Sequence, residues 1–443
     1  ALRRGNSTYF PDRVVPMLPE ALSNDLCSLR PKEDRACLAA HLWIDGNGKL
    51  VEYKFTRALM KSAARLIYED VQAMFEAQEK SDLLPHINNL YAAYRILDKA
   101  RQERGALDLD MPERQIVIDQ TGNMSGVKLR ERVDAHKLIE EFMILANVAA
   151  ASALEDKEAP CVYRIHDKPS MDKLDSVREF LGSFNLSLPR GTSIESRQVN
   201  ALLKQAGKMP YSRLISTVIL RTQSQAVYSP DNIGHYGLAL AKYAHFTSPI
   251  RRYADLLVHR SLIKAYGLGP GGLDEQEEVQ LSSIAQSISS SERKSMEAER
   301  DTVERFTAAY LSGKVGEEFG GSISGVTRFG LFVTLTDNGA EGLIPMKSLS
   351  DDFYVHDEEA HALVGRRHGK VYRLGAEVTV QLMEADGLTG STLLRLTGAS
   401  LRGADIPGMA MPRSGGNTRD RGSRRENDRK PRKKFSKFKD KKR

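Results

Sequence analysis

The texture of the chain changes once, at Gly313, and that change limits the folds open to it. Before it, apolar residues recur every three or four positions over long stretches with few breakers. After it, Gly321–Thr327 and Gly330–Leu335 alternate apolar and polar residues, Asp337-Asn338-Gly339 supplies a turn, and Glu341–Pro345 resumes the alternation. Val371–Gly375 and Val378–Leu382 continue the series. Period 3.6 predicts helices and period 2 predicts strands. The reading is therefore α+β: a predominantly helical domain over 1–313, then a small five-stranded barrel of the OB type over 314–398, with a Lys/Arg-rich tail over 399–443 expected to be disordered.

Within the first block, residues 1–30 are rich in proline and turn formers and suit an extended segment lining a cavity rather than a helix. Residues 36–55 read as a hairpin around Asp45-Gly46-Asn47-Gly48. Two or three helices are expected over 56–103, interrupted at Leu84-Pro85, and a short strand pair over 105–119. An amphipathic helix over 132–155 has Leu138, Phe142, Leu145 and Val148 as its inner stripe. Further helices are expected at 170–182, 195–206, 211–221, 249–266 and 274–313.

The segment from His245 to Arg260 (His-Phe-Thr-Ser-Pro-Ile-Arg-Arg-Tyr-Ala-Asp-Leu-Leu-Val-His-Arg) reads as a loop entering a helix. Ser248 suits the N-cap and Pro249 the first helical position. Backbone N–H groups, the positive end of the helix and two guanidinium groups then converge, which is a way to bind phosphate. Arg251, Asp255 and His259 fall on one stripe, so Asp255 can hold Arg251. The alternative for such a run taken alone is a surface helix with a solvated ion pair. His259 fits a structural histidine better than a general base.

As a whole, this segment closely resembles the signature of the catalytic domain of the ribonuclease II/ribonuclease R (RNB) family of 3′→5′ exoribonucleases. Asn6-Ser7-Thr8-Tyr9-Phe10-Pro11, Val15-Pro16-Met17-Leu18-Pro19-Glu20 and Leu22–Leu29 resemble further blocks of that domain, in the family's order. The basic tail brings the chain closer to the ribonuclease R branch. Behind that domain the short strands resemble an S1 RNA-binding domain, with Phe329 and Phe332 at its RNA-facing positions.

The resemblance implies a processive hydrolase that releases 5′-nucleoside monophosphates from RNA 3′ ends. It makes Arg251 the catalytic arginine on the scissile phosphate, and Tyr9 the aromatic that stacks on the terminal nucleotides. It makes Tyr68 a second substrate-facing tyrosine, and Glu141 and Glu299 channel-lining residues. Arg252 is left between an adjoining phosphate and a packing role. For Tyr9 and Tyr68 the residues alone equally suit core positions, and for both glutamates solvated or paired helix positions. Leu109 stands where the family carries a base-clamping phenylalanine. The family's Mg²⁺-binding aspartates occupy a block not found in this sequence. Asp25, Asp231, Asp255 and Asp301 are scattered and form no carboxylate cluster, so no metal ligand is assigned. The reading is a C-terminal fragment that lacks the aspartate block and the cold-shock-type domains. Its rivals are a non-catalytic RNA-binding module and an S1-type translation or RNA-chaperone factor.

Charge adds a partner. Residues 412–443 hold 15 Lys/Arg against 4 Asp/Glu, which leaves 50 against 54 for the rest of the chain. Such a tail binds polyanions by counterion release, and RNA (single-stranded 3′ ends, structured RNA, ribosomal RNA) is the expected partner. Three well-separated cysteines, Cys27, Cys37 and Cys161, argue against a disulfide scaffold and suit a reducing cytoplasm. No apolar run is long enough for a membrane span, and a monomer is expected.

Overall fold

The computed structural model describes residues 1–402, apart from 110–113, 130–131, 183, 192, 210–211, 350, 359 and 399–400. The chain opens with two short paired strands, β1 (Thr8–Tyr9) and β2 (Val14–Val15), and then a π-helical turn at Ala21–Leu26. That turn lies inside the segment expected to be wholly extended. A long hairpin follows, β3 (Asp34–Ile44) on β4 (Leu50–Lys61), so residues 56–61 are strand, not helix. Next come α1 (Tyr68–Ala77) and α2 (Leu84–Arg104), with Pro85 in the opening turn of α2, where its missing N–H costs no bond. The expected strand pair lies later than 105–119. It joins β5 (Arg114–Ile118) to β6 (Met124–Leu129), and residues 110–113 fall outside the described set.

The helical body is built on α3 (Asp134–Glu155). Its buried line runs through Leu138, Glu141, Ile144 and Asn147 to an alanine-rich end, whereas Phe142, Leu145 and Val148 are only partly buried. The stripe is thus rotated from the expected one because two polar residues take inward positions. After β7 (Tyr163–Ile165) come α4 (Met171–Gly182), α5 (Ser196–Ala206) and α6 (Ser212–Thr222), close to the expected ranges. These three helices share a core built on Phe180, Leu181, Ile194, Ile215 and Ile219, and Leu109 packs against it. The leucine at this position therefore serves the core.

Strand β8 (Val227–Ser229) pairs with β7, and α7 (Tyr253–Ala265), α8 (Glu275–Val279) and α9 (Leu281–Ser312) complete the body. The expected helix over 274–313 is therefore broken at Gln280. At 32 residues α9 spans about 48 Å. Its Leu311 enters the core of the following barrel, so one rigid rod joins the two parts.

The barrel is closed, in the order Gly330–Leu335 (β10), Glu341–Pro345 (β11), Ser391–Gly398 (β16), Glu377–Asp386 (β15) and Glu318–Thr327 (β9). Closure leaves no open edge among these strands. The expected strand at 371–375 is not among them. As β14 (Lys370–Arg373) it belongs to a separate sheet with β12 (Tyr354–Asp357), β13 (Ala362–Gly365) and β17 (Leu401–Arg402). Ser391–Gly398 supplies the fifth barrel strand instead. Residues 401–402 thus pair as strand where disorder was expected, and the tail beyond 402 lies outside the described residues.

Candidate functional site

The turn ahead of α7 is held by one buried carboxylate. Asp255, in the first turn of α7, is fully buried. It accepts bonds from Arg252 Nε (2.7 Å) and Nη2 (2.8 Å), and from the backbone N–H of Ser248 (2.6 Å). Burial works against the charge of Arg252, but Asp255 outweighs it, and the guanidinium is held above its ordinary range. Asp255 therefore holds Arg252, not Arg251 as the i, i+4 spacing suggested.

The helix also starts later than expected. Arg251 and Arg252 donate their backbone N–H groups to the Ser248 carbonyl at 3.2 and 3.1 Å, and Arg252 is extended (φ −135°, ψ 128°). Neighbouring backbone explains this. Ser7 N–H donates to the Arg251 carbonyl (2.9 Å) and Tyr253 N–H donates to the Gly5 carbonyl (2.8 Å). Pairing of residues 5–7 with residues 251–253 holds Arg252 extended after the turn that contains Arg251, and α7 begins only at Tyr253. Ser248 and Pro249 form a turn, not a cap. The side chain of Arg251 is exposed, with no hydrogen bond or ion pair to any described residue.

The same N-terminal run reaches α9. Thr8 Oγ1 lies 3.0 Å from Ser295 Oγ, and Tyr9 N–H donates to Glu299 Oε1 at 2.6 Å. The Tyr9 side chain remains 46% exposed, so its ring is open to a ligand. Gly5 makes the approach possible. Its φ is +72°, and a Cβ there would lie 2.8 Å from Ser291 Cβ on α9. Gly5→Ala is expected to lower the unfolding free energy by about 1–3 kcal/mol, since backbone strain and crowding add. Urea melts check this, and an unchanged midpoint would refute it.

Behind the turn lies a polar network that the sequence reading missed. Asn147 of α3 accepts from Phe246 N–H (2.8 Å) and donates to the Tyr243 hydroxyl (3.0 Å). His259 Nε2 lies 2.8 Å from the Phe246 carbonyl, and its ring stacks on Phe246 at 4.5 Å, which suits a structural histidine. The Tyr228 hydroxyl is 2.8 Å from His245 Nδ1, and the Arg164 guanidinium sits 4.6 Å above the Tyr228 ring while bonding Glu292 of α9 (2.6 Å). The one available sequence signal was an Asn on the inward line of α3. Partners so far apart in sequence leave no local pattern.

Burial, then the nearby Arg252 and Arg164, push His245 well below the usual imidazole range. Burial, then His166 and Arg164, push His235 down to about 3. An unfolded histidine titrates near 6.5. Between about pH 6.5 and 3 the unfolded chain binds protons that the folded chain refuses, so stability is full above that window and falls as pH drops through it. Each such histidine is expected to cost up to about 1.4 kcal/mol per pH unit. His235→Asn should flatten the urea-midpoint profile below pH 6.5; an unaltered profile would exclude His235 as a contributor.

Arg251, Arg252, Tyr9 and Glu299 thus share one locality. Tyr68 and Glu141 have other partners. Tyr68 opens α1 and stacks on His136 of α3, centroids 4.2 Å apart. Glu141 is buried and bonded to Arg101 Nη1 (2.7 Å); burial raises its carboxyl above the usual range while Arg101 opposes. It borders a cavity of about 960 Å³ between α2, α3, α5 and α6 that also touches Arg101, Arg132, Lys137 and Glu140. On the barrel, Phe329 is 60% exposed and meets Phe332 edge to face at 6.0 Å. Gly330 lets the turn close, because any side chain there would strike the Ile344 carbonyl.

No group of three or more His, Cys, Asp or Glu is placed to hold a metal among the described residues. Asp255 already gives its oxygens to Arg252 and Ser248.

Fold and sequence together define the class. The RNB domain profile matches residues 1–267 and the S1 RNA binding domain profile matches residues 313–390; the chain belongs to the RNB family, with an S1 domain following. Among its relatives is ribonuclease R of Vibrio cholerae, 41% identical over 397 residues, which cover 86% of this chain and 48% of that protein. Ribonuclease R of Mycoplasma genitalium has been solved in its apo form and in complex with ribose-methylated single-stranded RNA. Each matches with a TM-score of 0.84 at 30% identity, covering 89% of this chain and 63% of that one. The chain spans about half the length of the curated relatives it matches.

Proposed function

We propose that this chain works in 3′→5′ RNA degradation, gripping the RNA backbone at Arg251 and the terminal bases at Tyr9. One observation carries the reading: an exposed guanidinium with no hydrogen bond or ion pair among the described residues sits on a turn fixed by the buried Arg252–Asp255 fork, and backbone bonds tie that turn to the segment that carries the exposed Tyr9. Arg251 is then available to a phosphate and to charge developing on it during cleavage, while Arg252 positions the turn. Glu299 holds the Tyr9 backbone, so the ring is presented from a fixed strand. Phe329 and Phe332 offer a stacking surface that accepts any base. Tyr68, exposed and stacked on His136, offers a further ring to RNA, and Glu141 acts through Arg101. In this reading the protein is cytoplasmic and monomeric, attacks with water and releases 5′-nucleoside monophosphates processively. No helix of the described residues is long and apolar enough to cross a membrane.

The second reading, an RNA-binding module without hydrolysis of its own, is favoured by the want of a metal-holding donor set among the described residues. Incubating the chain with a 3′-tailed RNA and Mg²⁺ separates the two. Stepwise loss of monomers supports autonomous hydrolysis. Stable binding with intact RNA supports the module, and no binding removes both.

A further inference from the structure

The sheet β12-β13-β14-β17 ends in a turn, Arg366-Arg367-His368-Gly369, that joins β13 to β14. Asp352 fixes this turn. Its carboxylate accepts backbone N–H bonds from Phe353 (2.6 Å), Arg367 (2.9 Å) and His368 (2.7 Å). Arg366 N–H donates to the Phe353 carbonyl at 3.0 Å. Gly365 is needed beside it, because a Cβ there would collide with the Asp352 carboxylate.

This fixed turn presents an unusual surface. Phe353 is 62% exposed, and the Arg366 guanidinium lies 5.5 Å from its ring centroid. Arg367 and His368 are exposed, and their side chains have no hydrogen bond or ion pair among the described residues. Nearby acids offset only part of this charge: Asp351 pairs with Lys370, and the Asp352 carboxylate, held by three N–H groups, stands against the two guanidinium groups of Arg366 and Arg367, leaving the turn net positive. An exposed ring with Arg366 over it and the unpaired Arg367 guanidinium nearby suits a base stacked on the exposed ring and phosphates on the arginines. An acidic protein surface would use the cations but gain nothing specific from the ring.

The surface is separate from Phe329. Arg328, next to Phe329, bonds Glu358 in the turn between β12 and β13 (2.8 Å), whereas the Arg366 turn lies at the other end of β13. Four residues of strand put about 13 Å between the two ends.

We propose that Phe353, Arg366 and Arg367 form a second contact for single-stranded RNA, set apart from Phe329 and Phe332. The assignment rests on the reading that this chain binds RNA. The test uses the full chain and an unstructured oligouridine, with affinity measured across a range of salt. Arg366→Ala/Arg367→Ala is expected to weaken binding and flatten the slope of log affinity against log salt by about 1.4. Phe353→Ala should weaken binding about tenfold, with less change in slope. Arg366→Gln/Arg367→Gln, which keeps the polar turn, should match the alanine pair if charge is the cause. Unaltered affinity and slope in the arginine variants, with Phe329→Ala still weakening binding, would overturn this surface alone. Failure of the unsubstituted chain to bind RNA would overturn both readings. Polyglutamate that binds this turn as tightly as RNA does, irrespective of Phe353, would reassign it to an acidic protein.

Discussion

Asp255→Ala is expected to lower the unfolding free energy by about 3–5 kcal/mol, because it strands a largely buried guanidinium. The carboxylate is fully buried and carries three bonds, two from Arg252 and one from Ser248 N–H. Without it, Arg252 keeps its charge but loses its counter-charge, and the Ser248 N–H loses its acceptor. Arg252→Met should be costly too, since the fully buried Asp255 carboxylate then loses its counter-charge and keeps only the Ser248 N–H. The double variant should then recover part of the loss, the sign of a coupled pair. Urea midpoints of the three proteins decide it. If the double variant is less stable than Asp255→Ala by the full cost of Arg252→Met, the two residues act independently and the account of the turn fails.

What the sequence made legible was local. Period 3.6 located α3 to α6 and period 2 located most of the barrel, because each signal lies within one element. The misplacements share a cause, which is contact across long sequence separation. Pro249 looked like a helix start because nothing nearby in sequence reveals that residues 5–7 pair with residues 251–253. Lys370–Arg373 carries the same alternation as a barrel strand, and only partner choice sends it to the neighbouring sheet. The inward line of α3 was misjudged since hydrophobicity alone rejects Glu141 and Asn147, whose partners, Arg101, Tyr243 and Phe246, make burial tolerable. For the site, resemblance supplied the candidate residues and the structure supplied their partners and exposure. Of the two adjacent arginines, Arg252, which sequence left between a phosphate contact and a packing role, is committed to Asp255, and Arg251 is open.

On the proposed reading, that difference makes Arg251 the one of the two to test for chemistry. In a preparation that degrades RNA, Arg251→Ala is expected to lower kcat by about 10²–10³ while changing RNA affinity only a few-fold. The fold should survive, because Arg251 is exposed and its backbone bond to Ser7 needs no side chain. Affinity should survive because Tyr9, Phe329 and Phe332 remain to stack bases. Arg251→Lys keeps the charge but not the planar fork, so it should recover only part of the rate. Single-turnover decay and equilibrium binding on the same 3′-tailed RNA read the two quantities separately. An equal fall in rate and affinity would make Arg251 a binding residue with no preference for the transition state. A rate unaffected by either substitution would remove the transition-state role assigned to this turn.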